Sequence, residues 1–401
     1  MTRSGHPPPV QIAARSVVTA AGIGTGPLRQ ALREQRSALV LNRVSSRPLA
    51  TFVGEVAGVG EVRLPPALLP LDCRNNRLAA LALEADDFGA VMRRAAARFG
   101  AHRIGVAIGT STSSIGATEA AYRRLDAQGR VPPASREPRV HTMHSPGIFV
   151  QAALGLTGPA ITVSTACSSS AKVFGVAQRW LGLGIVDAVL VGGVDSLCDS
   201  VLFGFNSLQL VSPERCRPFD AARRGINLGE AAGFALLTCD DGFAATGVAL
   251  TGVGESSDAH HMSAPHPQGL GARRALEQAL AQARLAPADI DYLNLHGTAT
   301  ERNDAVEAEL VARMFGDSLH ASSTKGCVGH TLGAAGIVEA VICMMALETG
   351  QRPGTVGTTG LDPVCGPQIR LQPSVAPVRH AASHSFGFGG SNCVLVLSES
   401  R

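Results

Sequence analysis

The sequence predicts an α/β fold whose sheets are covered by helices on both faces. Three observations predict it. Strand-like and helix-like stretches alternate along the chain, which places crossover helices over parallel or mixed sheets. Aromatic residues make up 4% of the 401 residues against 45% hydrophobic, so the core rests on Ala, Val, Leu and Ile and suits closely packed layers. A rough internal symmetry is also visible: V-S-T-A-Cys167-S-S-S and Y-L-N-L-His296-G-T each end a strand at a reactive residue followed by small ones. It divides the chain into an N-terminal half, 1–245, and a C-terminal half, 246–401.

In order, Val10 to Val18 reads as a strand, followed by a Gly-rich turn and a helix from Pro27 to Glu34. Cys73 to Ala97 reads as one long helical stretch, and Arg103 to Gly109 as a buried strand. Helices are expected over Ala117 to Leu125 and Pro146 to Leu154, with a Pro-rich loop from Asp126 to Arg139 between them. Ile161 to Val163 ends a buried strand, and Ser168 to Leu181 has the apolar face of a helix. Strands are expected at Val186 to Gly192 and Ala232 to Thr238, separated by a polar connection from Ser212 to Glu230. In the second half, Val248 to Val253, Ile290 to Asn294 and Asn392 to Leu397 read as strands. Gly271 to Arg284, Asp304 to Phe315 and Gly333 to Glu348 read as helices.

A net charge of +3 with no lysine-rich tract argues against nucleic acid. Nine scattered cysteines without a C-x-x-C pair suit neither a zinc ribbon nor a disulfide scaffold, and point to a reducing compartment. The first residues lack an apolar signal core, and no window approaches a membrane-spanning run, so a soluble cytoplasmic protein is expected.

Four segments could do chemistry. Cys167 stands where a strand gives way to a helix, and unpaired N–H groups there favour negative charge. The expectation is a thiol that ionises easily, although a cysteine in apolar surroundings is commonly a core residue. His296 ends a strand, where open α/β sheets place ligands, and Thr298 and Thr300 alternate with it so that both hydroxyls could face one side. His330 opens a Gly/Ala-rich helix that also carries Glu339. Lys325, one of only two lysines with Lys172, could bias a nearby group or pair with Glu339. His384 to Asn392 (H-S-F-G-F-G-G-S-N) reads as a tight loop around Phe386 and Phe388 whose N–H groups are available. A donor there beside one at Cys167 would form an oxyanion hole. His260, His261, His266, His320 and His384 read as structural or surface residues. Together these parts fit acyl transfer through a thioester. No G-x-S-x-G elbow supports a serine hydrolase, and the histidines look too isolated in sequence for a metal.

T-A-C-S-S-S, N-L-H-G-T-A-T, S-S-T-K-G-C-V-G-H-T-L-G-A-A-G and S-F-G-F-G-G-S-N, with G-G-V-D at Gly192 and R-P-F-D at Arg217, resemble the elongating β-ketoacyl-(acyl carrier protein) synthases of the condensing-enzyme family. The resemblance implies a thiolase-like duplicated five-layer α-β-α-β-α sandwich, a homodimer or a heterodimer with a related chain-length-factor subunit. No bound cofactor or metal is implied, because substrates ride on the phosphopantetheine of an acyl carrier protein. It implies that Cys167 accepts an acyl group while His296 and His330 promote decarboxylation of a malonyl thioester. Cys167 and Phe388 N–H groups would form the oxyanion hole, with Phe388 also the gate. Lys325 and Glu339 would be a supporting ion pair, Glu307 a supporting carboxylate, and Thr298, Thr300 and Phe386 substrate contacts. Arg74, Arg77, Arg136 and Arg139 are candidates for carrier docking by segment order. Arg224 and Ile226 replace the acidic and aromatic residues usual in R-D-G-F-x-x-G-E-G-A-G, and the segment from Ile115 to Ser145 would line the acyl pocket. D-C-R-N-N-R-L-A at Asp72 and S-L-C-D-S-V-L-F-G-F-N-S-L-Q-L at Ser196 look more like the aryl polyene pigment ketosynthases.

Overall fold

The computed structural model describes residues 10–243 and 246–400. Ten strands form one continuous sheet path: β1 (Val10–Thr19), β2 (Ile104–Gly109), β3 (Ala160–Val163), β4 (Ala188–Asp195), β5 (Ala231–Thr238), β6 (Val248–Ser257), β7 (Tyr292–Asn294), β8 (His320–Ser322), β9 (His380–Gly387) and β10 (Ser391–Glu399). The first five run in spatial order β1-β5-β4-β2-β3, and the second five in the order β6-β10-β9-β7-β8. The pairing directions repeat as well, antiparallel twice and then parallel twice. The two sets meet where β1 pairs antiparallel with β6 through Val10–Leu250, Gln11–Ala249 and Ile12–Val248.

The duplication therefore lies in strand order, and it corrects the correspondence suggested by local sequence. Cys167 follows β3, the third strand of its set, whereas His296 follows β7, the second of its own. The topological counterpart of the Cys167 segment is the stretch after β8 that contains His330.

Helices complete five layers. On the outer face of the first set lie α1 (Arg74–Glu84), α2 (Phe88–Phe99) and α3 (Ser145–Leu154), packed around Leu78, Phe88, Met92 and Phe149. Between the two sets lie α4 (Ser169–Gly182) and a long helix, α8 (Ala335–Thr349), packed through Phe174, Ile337 and Val341. On the far face lie α6 (Leu270–Ala283) and α7 (Glu301–Met314), packed through Leu276, Leu280 and Leu310. One further helix, α5 (Asp199–Ser207), was not expected from the sequence. The central layer depends on small residues: a Cβ on Gly336 would come within 2.5 Å of the Ala171 backbone nitrogen. The window Leu332–Thr349 is apolar and long enough to cross a membrane, against expectation, but 83% of it is buried between the sheets.

Other differences have physical causes. The single helix expected over Cys73 to Ala97 breaks at Asp86 and Asp87, whose φ angles are +53° and +58°. The break lets the Asp86 carboxylate accept the Thr25 N–H at 2.9 Å, at the start of the helix Thr25–Arg33. β8 and β9 went unseen because H-A-S and H-A-A-S-H-S-F-G have little strand character, and burial between neighbouring strands holds them extended. β3 is the edge of the sheet rather than a buried strand, leaving Ile161 39% exposed.

Candidate active site

Cys167 sits in the turn between β3 and α4. Ala166 takes a φ of +51°, and Ser169 Oγ both accepts the Thr165 N–H at 2.9 Å and donates to the Ala166 carbonyl at 2.6 Å. Ser170 Oγ then accepts the Ile337 N–H at 2.9 Å, tying α4 to the helix that follows His330. The topology thus brings Cys167 and His330 together, with His330 Nε2 3.0 Å from Cys167 Sγ. The Leu332 N–H donates to His330 Nδ1 at 3.2 Å, which assigns the ring proton to Nε2 and aims it at the sulfur.

His296 lies at the end of β7, its ring edge-on to that of His330 with centroids 5.3 Å apart. The Lys325 ammonium donates to the His296 carbonyl and lies 3.5 Å from His296 Nδ1, so this ring too carries its proton on Nε2. Lys325 is also paired with Glu339, both side chains being buried. Burial, the Lys325 charge and the neighbouring histidines hold His296 well below the usual histidine range; burial and Lys325 do the same for His330. Two neutral imidazoles therefore present Nε2–H donors to one small volume. Burial also pushes the Glu339 carboxyl up to about 7 against the pull of Lys325.

The expectation of an easily ionised thiol is not met. Burial pushes Cys167 up to about 12, opposed by the Lys325 charge and the Phe388 N–H. The helix start does not outweigh the loss of water around a side chain only 5% exposed. The expected isolation of the histidines fails as well. The ligating atoms of Cys167, His296 and His330 all lie within 4.8 Å of one another, close enough to share an ion. The Lys325 ammonium beside them opposes a divalent cation there.

The donor loop is shorter than expected. Phe386 lies on β9, and the turn itself is Phe388–Gly390, with φ of +77° at Gly389 and +76° at Gly390. A Cβ on Gly387 would stand 2.8 Å from the Thr165 carbonyl and 3.3 Å from the Cys167 nitrogen, so glycine there lets the turn press against Cys167. The Phe388 ring packs on Phe205 with centroids 5.4 Å apart. Thr298 and Thr300 do face one side, their hydroxyls 2.8 Å apart. Glu307 accepts the His296 and Gly297 N–H groups at 2.8 and 2.7 Å.

A cleft of about 490 Å³, lined also by Phe205, Phe386 and Phe388, reaches from Cys167, His296 and His330 past Thr298 and Thr300 to Arg223, Arg224 and Arg302. Ile226 lies in its wall and is buried, whereas Arg224 is exposed and pairs with Glu214 at 3.0 Å. No residue from Ile115 to Ser145 lines this cleft, nor does any of the four arginines singled out for docking. Arg74 is bound to the fully buried Glu230 and to Glu55, and Arg77 to Asp72 at 2.6 Å. Arg139 pairs with Glu137 at 2.7 Å, and Arg136 donates to the Val131 carbonyl at 2.7 Å.

Sequence reasoning missed several supports. Buried Asp304 accepts the Phe219, Thr298 and Ala299 N–H groups and shapes the turn after His296. Its place three residues before Glu307, on the same helical face, was the available signal. Asn227 accepts the Cys216 N–H through its side chain, while its carbonyl accepts the His330 N–H at 2.8 Å. Of the two readings open for His384, structural or surface, the structure shows the first: it is wholly buried and bonded to Glu307. Neither Asn227 nor His384 had a local signal.

A buried thiol, two buried imidazole donors and a backbone N–H converging at one end of a cleft define a thioester acyl-transfer site on a duplicated α/β sandwich. Comparison with known proteins gives that class its family. Residues 86–241 match the N-terminal domain of β-ketoacyl synthases and residues 248–359 the C-terminal domain. Nodulation protein E of Rhizobium meliloti (strain 1021) is 36% identical over 306 residues, covering 74% of this chain and 76% of that protein. The 3-oxoacyl-[acyl-carrier-protein] synthase 2 of the same organism is 37% identical over 319 residues, covering 73% of each. Among solved structures, the ketosynthase ApeO in complex with its chain length factor ApeC, from Xenorhabdus doucetiae, is similar with a TM-score of 0.88 and 35% identity, covering 99% of this chain and 100% of that one. The chain belongs to the β-ketoacyl synthase family.

Proposed function

We propose that this protein is a carrier-protein-dependent, decarboxylating β-ketoacyl synthase. The observation that supports this reading best is the convergence of His330 Nε2 on Cys167 Sγ at 3.0 Å beside the second donor, His296. Cys167 takes an acyl group from the phosphopantetheine thioester of a carrier protein, whose thiol leaves. Malonyl-carrier protein then enters the same cleft. Its C–CO2 bond breaks, and the electron pair passes into an enolate whose oxygen accepts the His296 and His330 Nε2–H groups. The carbanion attacks the acyl carbonyl on Cys167, and the oxyanion formed meets the Phe388 and Cys167 N–H groups. Collapse expels the Cys167 thiolate and leaves a chain two carbons longer on the carrier. No step calls for a bound cofactor or metal.

The halves 1–245 and 246–401 act as the thiol-bearing and imidazole-bearing parts, a division supported by the repeated strand order. The likeness to a ketosynthase bound to its chain length factor supports pairing with a related chain-length-factor subunit, with a homodimer as the alternative. The exposed edge strand β3 is a surface such a subunit could cover. The assembled triad argues against a non-catalytic subunit. None of the nine cysteines forms a disulfide, which suits the cytoplasm.

The acyl chain is read as a conjugated polyenoyl chain of the aryl polyene type, from the motifs at Asp72 and Ser196. Saturated fatty-acid elongation is the second reading, favoured by the identity to a 3-oxoacyl-[acyl-carrier-protein] synthase 2. Offering saturated and polyenoyl carrier proteins with malonyl-carrier protein, and weighing the products by mass, separates the two. Preferred turnover of saturated chains rejects the polyenoyl assignment.

A further inference from the structure

His384 has no part in the chemistry above, yet it is bonded into the centre of the site. It lies on β9 and is 0% exposed. Its Nδ1 is 3.0 Å from Glu307 Oε1, so a carboxylate there fixes Nδ1 as an N–H donor. The same carboxylate accepts the His296 N–H at 2.8 Å and the Gly297 N–H at 2.7 Å. Glu307 thus has three donors, and two of them are the backbone of the turn that aims His296. A second, apolar path runs in parallel. The His384 ring packs on Phe386 with centroids 4.9 Å apart, and Phe386 lies 5.8 Å from the His296 ring.

We propose that His384 is the positioning residue of His296, acting by donating its Nδ1–H to Glu307. A buried carboxylate that loses a donor must find another. For Glu307 that rearrangement falls on the two backbone N–H groups it holds, and His296 Nε2–H then moves off the oxygen it has to meet. Cys167 stands outside this chain of contacts, because its partners are His330 and the Phe388 turn. His384 therefore governs decarboxylation and leaves acylation of Cys167 alone.

The inference rests on the synthase reading, and the test separates the two. His384→Asn keeps an N–H donor, whereas His384→Leu and His384→Met remove it; two donor-less variants guard against one failing to fold. Each purified full-length chain is assayed for carbon dioxide release from malonyl-carrier protein and for acylation of Cys167 by intact mass. In folded Leu or Met variants, decarboxylation should fall roughly ten- to hundredfold, the worth of a charge-assisted hydrogen bond, while acylation stays within about twofold. The Asn variant should recover most of the loss. An equal fall in both half-reactions, unchanged decarboxylation, or no rescue by Asn overturns the proposal. A wild-type chain that neither acylates nor releases carbon dioxide overturns the synthase reading itself, and the inference with it.

Discussion

His330 points a ring N–H at Cys167 Sγ across 3.0 Å, because Leu332 N–H occupies the opposite ring nitrogen. His330 is thus a donor toward the sulfur and whatever the sulfur carries, rather than a base that removes its proton. This is the arrangement a decarboxylating condensation needs. It also leaves the resting thiol protonated, with measurable consequences.

The first is the reactivity of Cys167. Alkylation follows the thiolate fraction, which rises about tenfold per pH unit below the thiol pKa. With Cys167 pushed up to about 12, its alkylation by iodoacetamide should keep climbing through the alkaline range in which the fold survives. A plateau near neutral pH contradicts the burial argument.

The second concerns the imidazoles. Because both are held well below the usual histidine range, neither His296 nor His330 should gain a proton between about pH 6 and 8, around the ordinary value of ~6.5. Ring nitrogen shifts in 15N-histidine-labelled protein, assigned with His296→Ala and His330→Ala variants, should stay constant there. A midpoint near the ordinary value for either ring contradicts the neutral-donor assignment.

Lys325 and Glu339 supply a stability prediction. Both are buried, so removing one partner strands a charge, at a cost of about 3–5 kcal/mol. Lys325→Met should lower the unfolding free energy by that order, and Lys325→Met combined with Glu339→Leu should restore much of it. Chemical denaturation of the three chains measures this. A double variant no more stable than the single one contradicts the pairing.

Carrier docking at the cleft mouth, proposed in place of the four paired or loop-bound arginines, is tested at Arg302. Arg302 is exposed there and forms no ion pair among the described residues, while Arg224 is held only by a half-exposed Glu214. Arg302→Glu should raise the KM for carrier-bound substrate about tenfold or more and weaken its salt dependence, with little change for a small pantetheine thioester. Equal loss with both substrates contradicts a docking role.

The site was legible where small residues surround a reactive one, as at Cys167, His296 and His330, because such runs mark turns pressed against other backbone. What the sequence could not show depends on distant partners. Arg74 looked like a free surface charge because Glu230, which neutralises it, is 156 residues away. His384 looked incidental because Glu307 is 77 residues away. The thiol pKa was misjudged because a helix start can be read along the chain, whereas burial by two layers cannot. Matching Cys167 to His296 failed similarly: both end strands, but only the sheet order shows that β3 corresponds to β8.

The central claim is that Cys167 holds one substrate while the imidazoles activate the other. The most direct measurement is the intact mass of the chain after exposure to acyl-carrier protein and then to malonyl-carrier protein. The wild-type chain should gain one acyl group and lose it on the second addition, with carbon dioxide released and a chain two carbons longer on the carrier. Cys167→Ala should gain nothing. Equal acylation of Cys167→Ala, or an acyl group that stays in place when malonyl-carrier protein is added, contradicts the account.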